Sequence, residues 1–294
     1  MVNINPVREE SATSDIKAIY EDIKQSLKLP WTPLIFQSFA MYPPFLQFIW
    51  HQLKPSTLTE QFRIDADRAR GFAEIFVSEA HVQKYKHEDA LANNLSVKDL
   101  IDIQTTLEAF HYGNSKLLLI GGALNKAIGG LSTGGDGNTE SSHEDFGDRV
   151  IRKIDINPVE EEEASDDTKA IYQDIKATLG VSIINTDYKA VGDWPGFLKL
   201  AWDDLKLFII WPSYSEGKSS LFEFAHHAAD RLAYPIKMGR DEMESAGIHE
   251  EDFDAIEEMV SLFAGILPGL MLNVAEMRQV VEDLLGIEHG EFAA

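Results

Sequence analysis

Apolar residues recur at helical spacing along most of the chain. Between residues 15 and 28 they lie three or four positions apart, as on one face of an amphipathic helix, and Ser14 is a plausible N-cap. The same spacing predicts further helices over 59–82, 97–112, 114–128, 166–179, 218–234, 241–247, 250–265 and 268–286. Strand-like alternation is scarce, and clusters such as FIIWP at 208–212 are short. The pattern therefore predicts an all-α protein.

The sequence contains an internal repeat. INPVREESATSDIKAIYEDIKQSLKLP at 4–30 returns as INPVEEEEASDDTKAIYQDIKATLGVS at 156–182, an offset of 152 residues (156 minus 4). The match continues through Trp50 and Trp202, and a looser match at an offset of 153 pairs 107–120 with 260–273. Two long copies are unlike a solenoid, which needs several short units. They predict two homologous helical repeats that pack as an intramolecular pseudo-dimer about an approximate two-fold axis.

A segment rich in Gly, Ser and acidic residues separates the copies. It predicts a first helical repeat over 1–128, a linker over 129–150 and a second helical repeat over 151–294. The acidic residues of the linker could hold a cation, but a solvated loop is the favoured interpretation.

Composition narrows the function further. The 294 residues carry a net charge of -23 and no cysteine, which excludes thiolate chemistry and argues against nucleic-acid binding. The N-terminal segment is polar, and we expect no run of apolar residues to reach the length of a membrane span. We therefore expect a soluble, cytoplasmic protein without a membrane partner. P-loop and Rossmann motifs are absent from the sequence.

Asp187 is the leading candidate for chemistry. It aligns with Ile35 of the first copy, so its surroundings are expected to be partly buried. A buried carboxylate costs several kcal/mol unless it is paired or used. The competing interpretation is structural, because Thr186 or Asp187 could cap a helix, and spacing alone favours that interpretation.

Other polar residues leave alternatives open. Asn114 could orient a water molecule, although an N-cap is its default role. Trp31 is equally compatible with a core position and with a pocket wall whose indole N–H donates to a ligand. His226, His227 and Asp230 have metal-ligand chemistry, but a third ligand is not evident, so a solvated or core histidine pair is favoured.

The motifs LPWTPL, FHYGNSKLLL and NTDYKAVGDWP, together with the duplicated layout, resemble the group I 2-haloacid dehalogenases of the DehI type. The resemblance covers essentially the whole chain. It implies an all-α pseudo-dimer with its active site between the two halves. It also implies hydrolytic removal of halide from short 2-haloalkanoic acids with no cofactor or metal, so the partners are a small 2-haloacid and water. A homodimer of the whole chain is plausible from the family.

The resemblance also implies roles for individual residues. Asp187 matches the catalytic aspartate of the family and Asn114 matches the asparagine that positions water. Thr186 matches a neighbouring hydroxyl, and Trp31 matches an aromatic residue of the substrate pocket. These matches reverse the structural interpretation of all four positions.

Three further positions bear on substrate range. Leu34 stands where the family has an aromatic residue, and Gly265 falls near an expected tyrosine, so both changes remove bulk or a hydroxyl from the pocket. Asn185 resembles the D-selective branch of the family. It therefore predicts a preference for D-2-chloropropionate.

The mechanism expected from the resemblance is attack by water at C2 of the haloacid. Asp187 takes a proton from a water held by Asn114, halide leaves, and the configuration at C2 inverts. The rival chemistry makes Asp187 a nucleophile that forms an ester. The alternative from another class is a non-catalytic or repurposed helical homologue that binds a small carboxylate, which Leu34 and Gly265 motivate. The polar residues Asp187, Thr186 and Asn114, which we expect between the two halves, argue against a pure scaffold.

Overall fold

The computed structural model describes residues 4–81, 84–135, 137, 139–141 and 154–287. Over these residues the protein is helical and forms no strand, only an isolated bridge between Thr59 and Ser141. The helices are α1 (Ser14–Leu27), α2 (Leu34–Phe39), α3 (Pro43–Thr57), α4 (Glu60–Ala80), α5 (His87–Ala92), α6 (Val97–Ile128), α7 (Asp166–Leu179), α8 (Thr186–Lys189), α9 (Pro195–Ile209), α10 (Pro212–Ala229), α11 (Arg240–Ser245) and α12 (Phe253–Leu285), with a 3₁₀ turn at Glu250–Asp252. The all-α prediction is confirmed.

Helices α1 and α7 begin and end alike. The side chain of Thr13 accepts a hydrogen bond from the backbone N–H of Ile16, and Ser165 is the N-cap residue of α7. Each helix stops at a residue with left-handed backbone, Lys28 with φ 58° and Gly180 with φ 67°. The N-cap of α1 is thus Thr13, so the prediction of Ser14 was wrong by one residue.

The two longest helices run through positions where the sequence predicted breaks. Helix α6 is continuous across Gly113, and α12 is continuous across Pro268. A glycine inside a helix costs only about 1 kcal/mol relative to alanine, which burial of the surrounding apolar residues offsets. The separate helices predicted over 97–112 and 114–128, and over 250–265 and 268–286, are therefore single elements.

Helix α12 also corrects the expectation about membrane-length segments. Residues Glu250–Leu285 are long and apolar enough to cross a membrane by length and composition, with a mean hydropathy of 1.6 in the best window. Of that window, 61% is buried inside the protein. Its length and hydropathy therefore fit a core helix, whose apolar residues are covered by other helices.

Contacts between Cα atoms divide the chain into two compact units. The first unit comprises Met1–Arg70, Tyr112–Lys153 and Lys218–Leu270, and the second comprises Gly71–His111, Ile154–Gly217 and Met271–Ala294. Each unit takes segments from both sequence copies. The unit boundaries therefore differ from those of the repeats, which remain a prediction from the sequence.

In the first unit, α1 and α2 pack on α3. The indole N–H of Trp50 donates to Asp22 at 2.8 Å, and the ammonium of Lys54 binds the other oxygen of Asp22 at 2.7 Å. This polar group joins α1 to α3 at the edge of a buried apolar interface.

In the second unit, α7 packs on α9. The indole N–H of Trp202 donates to Asp174 at 2.8 Å, and Lys206 binds the same carboxylate at 2.7 Å. Trp202, Asp174 and Lys206 lie 152 positions after Trp50, Asp22 and Lys54, and they make equivalent bonds, except that Trp202 and Lys206 share one carboxylate oxygen.

The first part of the predicted linker is bound to the first unit. The N–H groups of Gly134 and Gly135 donate to the carbonyls of Ala229 and Leu232, each at 2.8 Å, and Thr133 is buried. Gly134 has φ +61°, and a Cβ atom there would lie 2.6 Å from the carbonyl oxygen of Tyr234. The expectation of a solvated loop was wrong for the buried Thr133, whereas Gly135 is exposed. Residues 136, 138 and 142–150 lie outside the described part of the chain.

Candidate functional site

Asp187 is buried in the second unit on a helix of one turn. Helix α8 begins at Thr186, and its N-cap is Asn185. Asp187 lies in the first turn and is only 4% exposed. Neither Thr186 nor Asp187 is the capping residue, so the capping interpretation was wrong for both. The burial expected from the alignment with Ile35 is confirmed, since Ile35 is itself 2% exposed.

Asn114 and Trp31 lie in the first unit and are both buried. Asn114 is in the middle of α6, so it cannot be an N-cap, as its default interpretation required. The residue before it, Gly113, faces Trp31: a Cβ atom built on Gly113 would lie 2.8 Å from Cη2 of the indole. The structure therefore brings the loop that carries Trp31 against the turn of α6 that carries Asn114.

A buried lysine holds the same loop in place. The ammonium of Lys116 donates to the backbone carbonyl of Leu27 at 2.8 Å and lies 4.1 Å from the ring centroid of Tyr112. Lys116 is only 6% exposed, so these contacts supply the partners that a buried cation requires. Its role was not found from the sequence. The signal was a charged residue two positions after Asn114 inside an apolar run.

A second polar group was also missed. In the second unit, the hydroxyl of Tyr214 donates to Oδ1 of Asn273 at 2.8 Å, and Nδ2 of Asn273 donates to the hydroxyl of Tyr188 at 2.8 Å. Tyr188 directly follows Asp187. Burial raises the pKa of the Tyr188 and Tyr214 hydroxyls, so both stay protonated across the physiological pH range. Comparison of the repeat copies would have shown that each of the three residues is polar where the first copy is apolar, but not that they contact one another.

The remaining predicted residues are less enclosed. Leu34 is half-buried at the first position of α2, and Thr186 is half-buried on α8. Gly265 is exposed on α12, and a Cβ atom there would meet nothing within 4 Å. It lines a surface depression with Phe222 and Pro268, and the lining includes none of the other predicted site residues.

The sequence-based metal candidate has other partners. In the first unit, Nε2 of His226 lies 3.1 Å from Oδ1 of Asn125, and Asp230 binds the ammonium of Lys126 at 2.6 Å. These contacts agree with the favoured interpretation of a histidine in ordinary packing.

Among the described residues, His81, Asp204 and Glu276 of the second unit have ligand atoms within 4.8 Å of one another. Both ring nitrogens of His81 face carboxylates, with Nδ1 at 2.9 Å from Glu276 and Nε2 at 3.1 Å from Asp283. The ammonium of Lys84 binds Asp204. Protons on His81 and the charge of Lys84 therefore compete with any cation. The arrangement is that of a buried ion cluster.

The predicted site residues thus fall into two local groups. In the first unit, Trp31 lies beside the turn that carries Asn114. In the second, Asn185, Thr186 and Asp187 share one helical turn. Their assignment to catalysis and substrate binding remains a prediction.

Comparison with known proteins identifies a family whose model matches this chain. The model described as "Halocarboxylic acid dehydrogenase DehI" matches residues 30–188, more than half of the chain and a range that includes Trp31, Asn114 and Asp187. The description names a dehydrogenase, whereas the relatives below are all named as dehalogenases.

Curated relatives match over most of their length. An (R)-2-haloacid dehalogenase from Pseudomonas putida is 33% identical over 94% of this chain and 92% of its own. A second from Rhizobium sp. (strain NHG3) is 30% identical over 81% of this chain and 91% of its own. A configuration-inverting 2-haloacid dehalogenase from Pseudomonas sp. (strain 113) is 24% identical over 69% of this chain and 66% of its own.

Solved structures agree in fold. A D-2-haloacid dehalogenase in complex with L-LA superimposes with a TM-score of 0.88 at 32% identity, covering 95% of this chain and 97% of that one. The likeness therefore extends over nearly all of both chains.

Proposed function

The chain belongs to the DehI family, and we propose that it is a hydrolase that removes halide from short 2-haloalkanoic acids with inversion at C2. The observation that carries the proposal is Asp187, a buried carboxylate at a position where the first sequence copy has Ile35. The named relatives, which act as 2-haloacid dehalogenases, support the same reaction. A non-catalytic homologue is not favoured.

The proposed step is a direct displacement by water. Asp187 removes a proton from a water held by Asn114, the water oxygen bonds to C2, and the carbon–halogen bond breaks from the opposite side. The products are the 2-hydroxy acid of opposite configuration, a halide ion and a proton. A positioned base contributes about 10²–10⁴-fold, and fixing water, carbon and leaving group in line supplies further acceleration.

We assign substrate recognition to Trp31, Leu34 and Thr186. Trp31 and Leu34 supply apolar surface, and the indole N–H and the Thr186 hydroxyl are donors for the substrate carboxylate or the departing halide. The replacement of an aromatic residue by Leu34 leaves room in the pocket. We therefore expect substrates somewhat longer than 2-chloropropionate to be accepted, which a series of 2-bromoalkanoates tests.

Halide release by the purified protein tests the activity. Asp187→Asn is expected to lower the rate on D-2-chloropropionate by about 10²-fold or more. Asp174→Asn is the matched control, because it neutralises a carboxylate of the same unit that binds Trp202 and Lys206. An Asp187→Asn protein with the wild-type rate would refute the assignment.

A single turnover in H₂¹⁸O separates water attack from ester formation. Direct attack places the label in the product alone, whereas an ester intermediate places it in the enzyme carboxylate. Label recovered in a peptide that contains Asp187 would overturn the proposed step.

A double-mutant cycle tests whether Asn114 and Asp187 act on one step. If both hold the same water, Asn114→Ala lowers the rate strongly in the wild type and much less in the Asp187→Asn protein. Independent effects that simply multiply would contradict a shared water.

Enantiomer preference is assigned to Asn185, the buried N-cap residue of α8. We propose that its amide narrows the pocket against the L enantiomer. Asn185→Ala should then raise the rate on L-2-chloropropionate relative to the D form, and an unchanged ratio would contradict this role.

We also propose that the two sequence copies fold into equivalent helical repeats that form a pseudo-dimer. Asp22 and Asp174 each bind an indole and an ammonium at equivalent positions of the repeat, and the caps Thr13 and Ser165 also match, which supports the proposal. A homodimer of the whole chain is a further part of the proposal, which light scattering after size-exclusion chromatography tests.

A further inference from the structure

The buried group Tyr188–Asn273–Tyr214 replaces an apolar one. Tyr188 and Tyr214 lie 152 positions after Phe36 and Phe62 (188 minus 36 and 214 minus 62). Asn273 is the last residue of the looser match at an offset of 153, where the first copy has Ile120. Two hydroxyls and an amide thus occupy positions where the first copy has hydrocarbon only.

Both versions of the group are buried. The apolar residues are 0 to 4% exposed in the first unit, and the polar ones are 0 to 5% exposed in the second. The fold therefore accepts hydrocarbon side chains at these positions. Burying an amide and two hydroxyls costs free energy unless all are hydrogen-bonded, so the polar version needs a reason other than packing.

The hydrogen bonds have a fixed direction. The amide oxygen of Asn273 can only accept, and it accepts from Tyr214, while the amide nitrogen donates to the hydroxyl of Tyr188. Asn273 is thereby held from both sides on the long helix α12. A buried network in which each member is hydrogen-bonded to another favours one arrangement of its members.

Tyr188 transmits this constraint to helix α8. The helix has four residues, Thr186–Lys189, and one turn is too short to be stable in isolation. The ring of Tyr188 also packs edge-on against Trp202, with centroids 6.2 Å apart. The backbone N–H of Val159 also donates to the carbonyl of Lys189. Because Val7 donates to Gln37 in the same way in the first copy, this bond is common to both copies.

We propose that Asn273 and Tyr214 are positioning residues that act through Tyr188 to fix the turn that carries Asp187. The inference rests on the proposed function, in which Asp187 is the base. This role gives a common reason for the polar residues at 187, 188, 214 and 273 of the second copy, where the first copy has apolar residues. The carboxylate performs the proton transfer, and the other three hold its backbone in place.

The decisive variant restores the apolar set of the first copy. The triple substitution Tyr188→Phe, Asn273→Ile and Tyr214→Phe uses residue types that already pack at these positions in the first unit. We expect it to fold, to keep its melting temperature within a few degrees, and to lose about 10–100-fold in kcat with KM within twofold. Wild-type kcat in the folded triple variant would overturn the proposal.

Single variants test the proposal if the triple variant does not fold. Tyr214→Phe removes one hydroxyl and no volume, and we expect kcat to fall while KM stays within twofold. Tyr20→Phe is the matched control, since its buried hydroxyl donates to the carbonyl of Val7 in the first unit, at 2.7 Å. It should lose stability without losing kcat. Equal kcat losses in both variants would show a general packing effect and overturn the proposal.

The background of Asp187→Asn separates this inference from the proposed function. If Asn273 and Tyr214 act through Asp187, Tyr214→Phe has no further effect on the residual rate once the carboxylate is gone. If Asp187→Asn keeps full activity, the base assignment itself fails. If Asp187→Asn is inactive and Tyr214→Phe keeps wild-type kcat, the positioning role alone fails.

Discussion

The indole of Trp31 lies against the backbone of Gly113, so closely that a Cβ atom at residue 113 would be 2.8 Å from Cη2 and 3.0 Å from Cζ2. Glycine is required at this position by the close approach of a rigid side chain rather than by backbone conformation, since Gly113 is helical. The contact couples the position of Trp31 to the turn of α6 that carries Asn114.

Gly113→Ala is therefore expected to displace Trp31. The added methyl group overpacks the contact at a cost of about 1–3 kcal/mol. If Trp31 forms the proposed wall of the substrate pocket, the KM for D-2-chloropropionate should rise, because that wall moves. Urea unfolding and steady-state halide release measure the two effects.

Gly71→Ala is the control for this substitution. Gly71 lies inside helix α4 and a Cβ atom there would meet nothing within 4 Å, so only the gain in helix propensity remains. An unchanged KM in Gly113→Ala would show that Trp31 is not part of the pocket.

Gly265→Ala is expected to stabilise the protein. The residue is exposed within α12 and a Cβ atom there has open space. Replacing such a glycine by alanine raises the free energy of unfolding by about 0.4–1 kcal/mol. Kinetics on the same variant test the site assignment, because a changed KM would support a place in the pocket and an unchanged KM would remove Gly265 from it.

The carboxylates of Asp22 and Asp174 predict equal acid sensitivity in the two units. Burial alone would raise the pKa of Asp22, but Lys54 and the neighbouring indole outweigh it, and Lys206 holds the pKa of Asp174 below its usual value. A lowered pKa stabilises the fold above the unfolded value of about 3.9 and loses that contribution as the pH falls through the folded value.

Asp22→Asn and Asp174→Asn should each cost no more than about 1 kcal/mol at pH 7, because both pairs are partly exposed to solvent. The differences from the wild type should shrink as the pH falls below about 4. Urea unfolding across this range measures them. Unequal losses at pH 7 would argue against equivalent repeats.

Much of the fold was predictable because burial imposes the helical period on long segments. Helix α7 matches its predicted range, residues 166–179. The prediction failed where tertiary packing overrode a local signal, at Gly113 in α6 and Pro268 in α12. It also missed the 15-residue helices α3 and α9 and the short helices α2, α5 and α8. A helix of one turn, such as α8, is too short to show a period.

The candidate site was predictable to the extent that one copy could be compared with the other. The substitution of Ile35 by Asp187 lies in the part of the repeat that aligns without gaps, and the expected burial was found. Asn273 lies where the alignment shifts to an offset of 153, and its partners are far from it in sequence. Such a contact depends on how helices pack, which residue spacing along the chain does not specify.

The ion cluster around His81 is expected to stabilise the fold less at alkaline pH than at slightly acidic pH. The side chain is 2% exposed, and burial alone would lower the pKa of the ring. The hydrogen bonds and charges of Glu276 and Asp283 outweigh that effect and raise the pKa above its usual value. A raised pKa stabilises the fold fully below the unfolded value of about 6.5 and loses that contribution as the pH rises through the folded value.

His81→Gln should thus be less stable than the wild type at slightly acidic pH, with a difference that shrinks as the pH rises. Urea unfolding at several pH values, from about 6 upwards through the unfolded pKa of the ring, measures the difference. The exposed His51 provides the control variant His51→Gln. A difference that stays constant or grows with pH would show that His81 is not held in its charged form by the two carboxylates.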